Sequence, residues 1–149
     1  MTTRAFLVGF ALLSLAGCAQ EVQLSSGNPP APGGSLEGGP WLFEDVNGGG
    51  VPDGVRADIS FEPGDQNTSV IFGTGGCNRF RGGWQQTGTV IKLGPLAGTM
   101  MMCEPAKMAT ERKILQSLEA VRTVSFDSTG AALLTAPAGQ VLKLRRERK

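Results

Sequence analysis

Two cysteines and a run of methionines are the residues of this chain best suited to chemistry. Cys77 and Cys103 lie on either side of two short apolar segments, and Met100, Met101 and Met102 directly precede the second cysteine. Thiolates and thioethers together are ligands for copper(I), and a thiolate alone is a nucleophile. The chain has no histidine and no tyrosine, so the usual activating bases are missing. The sequence therefore predicts no catalytic residue, no metal site and no cofactor.

The methionines allow two interpretations. One is a copper(I) site built from the thioethers of Met100–Met102 and the neighbouring thiolates. The other is packing, because unbranched methionines, with Met108 added, fill irregular gaps between a helix and a sheet. Thioether sites usually include histidines, so the sequence favours packing in the core, with alternation turning at least one of Met100–Met102 outward.

The beginning of the chain has the pattern of an exported lipoprotein. An uncharged apolar run from Ala5 to Ala16 is too short to span a bilayer as a helix. Residues 15–18 read Leu-Ala-Gly-Cys and resemble the bacterial lipobox, whose cysteine is acylated before the signal is removed. We therefore predict a lipoprotein signal peptide over residues 1–17 and a membrane anchor at acylated Cys18.

The predicted location is the bacterial cell envelope. Ala19 follows the lipidated cysteine, and resemblance to the lipoprotein sorting rule favours the periplasmic face of the outer membrane for a residue other than aspartate.

The chain carries 14 basic and 13 acidic residues. Such a balance argues against a nucleic-acid partner, which would require a basic field facing the phosphates.

The rest of the chain divides into a tether and one domain. Glycine, proline and serine dominate residues 18–40, which predicts a flexible segment behind the lipidated cysteine. Residues 41–149 suffice for a single hydrophobic core. Alternating apolar residues between glycine-rich turns predict about eight short strands, and Pro105 suits the start of one helix. The expected fold is α+β and mostly β, a curled antiparallel sheet packed on that helix.

Export would leave Cys77 and Cys103 as a pair in an oxidising compartment. Such a pair is normally joined, so we predict a structural disulfide. Buried free thiols remain the alternative. A reactive thiol has less support, because the chain has no Cys-X-X-Cys and no histidine to lower a thiol pKa.

Residues 76–80 read Gly-Cys-Asn-Arg-Phe, and a Met-Met-Cys sequence ends at Cys103. Together with Leu96, Ala97 and Thr99, these residues resemble the META domain of HslJ-like heat-shock lipoproteins, over about residues 41–146. Met100 stands where that family often has a basic residue. The resemblance implies structural roles for the motif residues Gly76, Asn78, Arg79, Phe80 and Thr99.

The same resemblance implies a non-enzymatic envelope protein whose domain is a structural or interaction module, in stress tolerance of the envelope. A second hypothesis is a carrier or chaperone, since the META fold is similar to that of lipid-binding pilotins, which escort secretin subunits. An apolar ligand or a lipidated partner would then occupy a pocket between sheet and helix. A hydrolase lacks support, because no pair of carboxylates has diagnostic spacing. The size of that pocket separates the first two hypotheses.

Overall fold

The computed structural model describes residues 34–64 and 69–148, which form nine strands and one helix. The predicted signal peptide, Cys18 and most of the predicted tether lie outside the described residues. The elements in chain order are β1 Gly38–Val46, β2 Asp58–Glu62, β3 Val70–Thr74, β4 Arg79–Thr87, β5 Val90–Leu93, β6 Ala97–Gly98, α1 Pro105–Ala120, β7 Thr123–Phe126, β8 Ala132–Thr135 and β9 Val141–Arg146.

The strands form a closed antiparallel barrel. The sheet runs β3-β2-β1-β9-β8-β7-β5-β4, and β4 also pairs with β3, which closes the circle. The two-residue strand β6 pairs with β4 beside β5. The predicted mostly β fold with one helix is confirmed. Closure of the sheet is the feature that the sequence pattern did not reveal.

Alternation along the strands fills the inside of the barrel with apolar side chains. In β9, for example, Leu142 and Leu144 are fully buried and Lys143 between them is partly exposed, as expected when every second residue faces the core. Phe61 meets the Trp84 ring edge to face, with 5.1 Å between ring centroids. The inside of the barrel is therefore a packed core.

The helix α1 covers one end of the barrel, which we call the helix rim. Pro105 occupies its first turn, where the missing N–H is not needed. Ile114 and Leu118 are fully buried in the core. Asn47, just after β1, donates from Nδ2 to the Ser117 hydroxyl at 3.0 Å. No helix in the described ranges is long and apolar enough to cross a membrane.

Residues 34–37, which we call the strap, cover the opposite end, the strap rim. Leu36 is fully buried, and its carbonyl accepts a 3.0 Å hydrogen bond from Trp41 Nε1. Gln86 contacts the strap from the end of β4, its Oε1 accepting from the Leu36 N–H at 3.3 Å. The predicted tether reached residue 40, whereas the folded domain already includes residue 34. Burial of one leucine outweighs the glycine-rich composition around it.

Candidate functional site

The turn from β3 to β4 passes directly over α1 at the helix rim, and two glycines make this approach fit. A Cβ at Gly75 would lie 2.7–2.9 Å from three atoms of Glu111. Gly76 has a φ of +114°, and a Cβ there would lie 2.6 Å from Val55 Cγ1. Glycine is required at both positions for steric reasons. The turn can therefore bring Asn78 against the helix.

Asn78 lies at the centre of a hydrogen-bond network and is 8% exposed. Its Nδ2 donates to Glu111 Oε1 at 2.9 Å and to the Met101 carbonyl at 3.2 Å. Its Oδ1 accepts from the Met101 N–H at 2.6 Å and from the Thr99 hydroxyl at 3.0 Å. Glu111 Oε2 accepts from the N–H groups of Asn78 and Cys77. We call Asn78, Thr99 and Glu111 the clamp, because they connect β4, α1 and the segment between them.

The disulfide lies beside the clamp. The structure joins Cys77 to Cys103, with 5.9 Å between their Cα atoms. Residues 99–103 are thus held by Thr99 at one end, by the Met101 backbone in the middle and by a covalent bond at the other end. With both sulfurs bonded to each other, neither is a free thiolate for catalysis or metal binding.

The structure contradicts the predicted core packing of Met100–Met102, because all three side chains are exposed where at least one was expected to be. Met100, Met101 and Met102 are 98%, 58% and 91% exposed, and Met108 on the helix is half-buried. The reason is the clamp, which holds the Met101 backbone against Asn78 and leaves the side chains toward solvent. Because the two cysteines are bonded to each other, a copper(I) site could use only the thioether sulfurs as ligands. No group of three or more His, Cys, Asp or Glu side chains with metal-binding geometry occurs in the part of the chain that the structure describes.

An open groove of about 520 Å³ crosses the outer face of β3, β4 and β6 beside this segment. Arg79 and Arg81 are exposed on its floor, because alternation along β4 turns Phe80 between them into the core. Phe72 of β3 is 45% exposed in the same groove. Its lining contains one carboxylate, Asp58. Within residues 34–64 and 69–148, neither arginine forms an ion pair.

A cavity between the helix and the sheet is much smaller than this groove. It measures about 40 Å³ and is lined by residues that include Phe80, Leu96, Glu111 and Leu115. One water molecule occupies roughly 30 Å³ in the liquid, whereas pockets for small ligands usually measure hundreds of Å³. This cavity does not accommodate the apolar ligand of the carrier hypothesis.

The structure gathers the five motif residues at one end of the barrel, in different roles. Gly76 shapes the turn, Asn78 and Thr99 belong to the clamp, Phe80 lies in the core and Arg79 lies on the outer face. The sequence did not single out Glu111, the helix residue that accepts hydrogen bonds from Asn78. It also missed the cross-strand row Phe72, Arg81 and Ala97, which depends on strand register. The alternation in β4 was the available signal for the outward arginines.

Together, the fold and the site define a small β-barrel domain closed by one helix, with a disulfide and a polar clamp at the helix rim. A family model described as the META domain matches residues 34–149. The chain therefore belongs to the META domain family, as its motif residues predicted. The match begins at the strap, in agreement with the burial of Leu36.

Two solved structures are similar to this chain. The NMR structure of a protein from Burkholderia xenovorans is 21% identical, with 76% of this chain and 85% of that chain covered and a TM-score of 0.61. A second NMR structure is 27% identical, with 74% and 91% covered and a TM-score of 0.58. Both are similar in fold. No curated protein matches the chain.

Proposed function

We propose that this protein is a non-enzymatic lipoprotein of the bacterial envelope, anchored through acylated Cys18, and that its META domain is an interaction module. The exposed Met100–Met102 segment is the observation that supports this proposal most directly. Contiguous exposed apolar side chains are uncommon on isolated soluble domains and often mark interaction sites. Methionines are frequent at such surfaces because they adapt to their partners.

The polar groups near the segment support a non-enzymatic role. Asn78, Thr99 and Glu111 bind one another and the backbone, and Cys77 and Cys103 are joined. Groups engaged in this way hold a segment in place. The cavity that adjoins both Asn78 and Glu111 measures about 40 Å³, which is too small for a substrate to react there.

The carrier hypothesis has less support, because it requires a pocket between sheet and helix that is many times larger. A function in envelope stress tolerance rests on the resemblance to heat-shock lipoproteins. We therefore include stress tolerance of the envelope in the proposed function, as the process in which the interaction module would act.

The anchor is tested by fractionation. Wild-type protein should carry acyl chains on Cys18 in an intact-mass measurement and sediment with outer membranes. Cys18→Ser should appear in the soluble fraction, because the anchor depends on the acyl chains. A Cys18→Ser protein that still sediments with membranes in high salt contradicts lipid anchoring.

The interaction module is tested by site-specific photocrosslinking in living cells. A photoreactive amino acid replaces Met102, which is 91% exposed, and in a matched strain replaces the exposed Lys113 of α1. Crosslinked products, with a lipid or with a protein, should form from position 102 and not from position 113. Equal crosslinking from both positions, or none from 102, contradicts the proposal.

A further inference from the structure

We infer that the methionine segment and the adjoining groove dock on the anionic phospholipid headgroups of the membrane that anchors the protein. The docking face consists of Phe72, Arg79, Arg81 and Met100–Met102. This inference rests on the proposed function, because it names the partner of the same surface.

Charge is the first argument. Arg79 and Arg81 occupy successive outward positions of one strand, about 7 Å apart by strand geometry. Their guanidinium groups match the geometry of phosphate oxygens. Asp58, the carboxylate of the groove, is 3.4 Å from Arg56, which reduces its competition for the two arginines. A chain with nearly balanced charge thus has a locally cationic groove.

The apolar side chains are the second argument. The strand register places Phe72 and Ala97 on either side of Arg81. Beyond the groove, Met100 and Met102 are almost fully exposed. This is the usual pattern of an interfacial membrane contact: the arginines bind the headgroups, and the neighbouring apolar side chains enter the boundary of the acyl chains.

The anchor is the third argument, and it favours a membrane over a protein partner. An acylated Cys18 would keep the domain close to headgroups at high effective concentration, so a weak contact suffices. The chain between Cys18 and Gly34 can extend to about 55 Å, whereas the nine residues of β4 measure about 30 Å. The helix rim can therefore reach the bilayer although the strap lies at the opposite rim.

Oxidation of the methionines provides the test, because a thioether and hydrogen peroxide give a sulfoxide and water. The full-length lipidated protein is reconstituted in vesicles of phosphatidylglycerol or of phosphatidylcholine and treated with dilute peroxide. Mass spectrometry then compares sulfoxide formation at Met100–Met102 with that at Met108. On phosphatidylglycerol the exposed methionines should react several-fold more slowly than on phosphatidylcholine.

Charge variants identify the face. Each arginine is expected to contribute about fivefold to docking on an anionic surface. The double variant Arg79→Gln/Arg81→Gln should therefore oxidise equally fast on both lipids. Arg112→Gln/Lys113→Gln removes the same charge from exposed positions of α1 and should keep the protection. Unchanged thermal unfolding of both double variants checks that the fold is intact.

Three results would overturn the inference. The first is equal oxidation of the wild-type segment on both lipids. The second is protection of the methionines that persists in Arg79→Gln/Arg81→Gln, which would mean that the two arginines do not bind the anionic headgroups. The third is protection in native envelopes but not on pure phosphatidylglycerol, which would indicate a protein partner. Failure of the proposed anchor gives a different result, namely an intact mass without acyl chains before any vesicle is added.

Discussion

The strap and the methionine segment, at opposite ends of the barrel, differ in what holds them. At the strap rim, Leu36 is buried and the rings of Trp41 and Phe126 lie 6.2 Å apart, so apolar contact holds the strap in addition to its hydrogen bonds. At the helix rim, the methionine segment gains little from burial because its side chains are exposed. Its position depends on hydrogen bonds from the clamp and on the disulfide. A segment that displays apolar side chains must be fixed through its backbone.

Breaking the disulfide should have the largest effect on stability. Cys77→Ser or Cys103→Ser should lower the free energy of unfolding by about 2–5 kcal/mol, because the loop of the unfolded chain is no longer closed. The double variant should be no less stable than either single one. Urea unfolding of protein purified without reductant measures this effect. Unchanged unfolding, with both thiols freely alkylated in the wild type, would contradict a structural bond.

Truncating the strap leucine should have the next largest effect. Leu36→Ala removes a fully buried side chain and should cost about 2–4 kcal/mol of unfolding free energy. Glu37→Ala, at the neighbouring exposed position, should have little effect. Thermal unfolding of the two variants compares them directly. A loss below that of Glu37→Ala would show that the strap does not belong to the core.

Removing the side-chain amide of Asn78 should lower the stability of the fold by less than the two previous changes. Its effect should be concentrated at the methionine segment. Asn78→Ala leaves the Met101 backbone and Glu111 without their partner and should destabilise the fold by about 1–3 kcal/mol. Hydrogen exchange at the Met101 N–H should accelerate beyond the global effect. The exposed Gln85→Ala is the matched control on the same strand. If exchange at the Met101 N–H stays slow in Asn78→Ala, the clamp is not what holds the methionine segment in place.

The smallest expected effect concerns a turn at the strap rim. A hydrogen bond from the Thr129 hydroxyl, followed by backbone N–H groups and the Lys143 charge, lowers the pKa of Asp127 from 3.8 to about 2. The ionised carboxylate therefore stabilises the fold above pH 3.8, and this contribution disappears as the pH falls toward 2. Asp127→Asn should flatten the pH dependence of the urea midpoint in that window. An equally steep curve in the variant would contradict this assignment.

Much of the fold was predictable because local patterns determine it. Alternation indicated the strands, and Pro105 indicated the helix start, which the structure places at the same residue. Closure of the barrel was not predictable, since pairing of β1 with β9 depends on contacts about a hundred residues apart. The strap was missed because burial of Leu36 is a tertiary effect within a glycine-rich sequence.

The sequence predicted the motif residues of the candidate site, but it did not predict the residues that contact them. Asn78 was recognised from its motif, yet its partner Glu111 lies 33 positions away on another element. The methionines were assigned mainly to the core, because the chain has no histidine to complete a thioether metal site. Their exposure follows from hydrogen bonds to the Met101 backbone, which no hydrophobic pattern encodes.

The pairing of the first strand with the last also limits when the domain can fold. During synthesis β1 has β2 as a neighbour early, but its other edge stays open until β9, the final strand, has been made. Contacts of such long sequence separation form slowly. The barrel therefore closes only after the chain through β9 has been synthesised, so closure is a late step of folding.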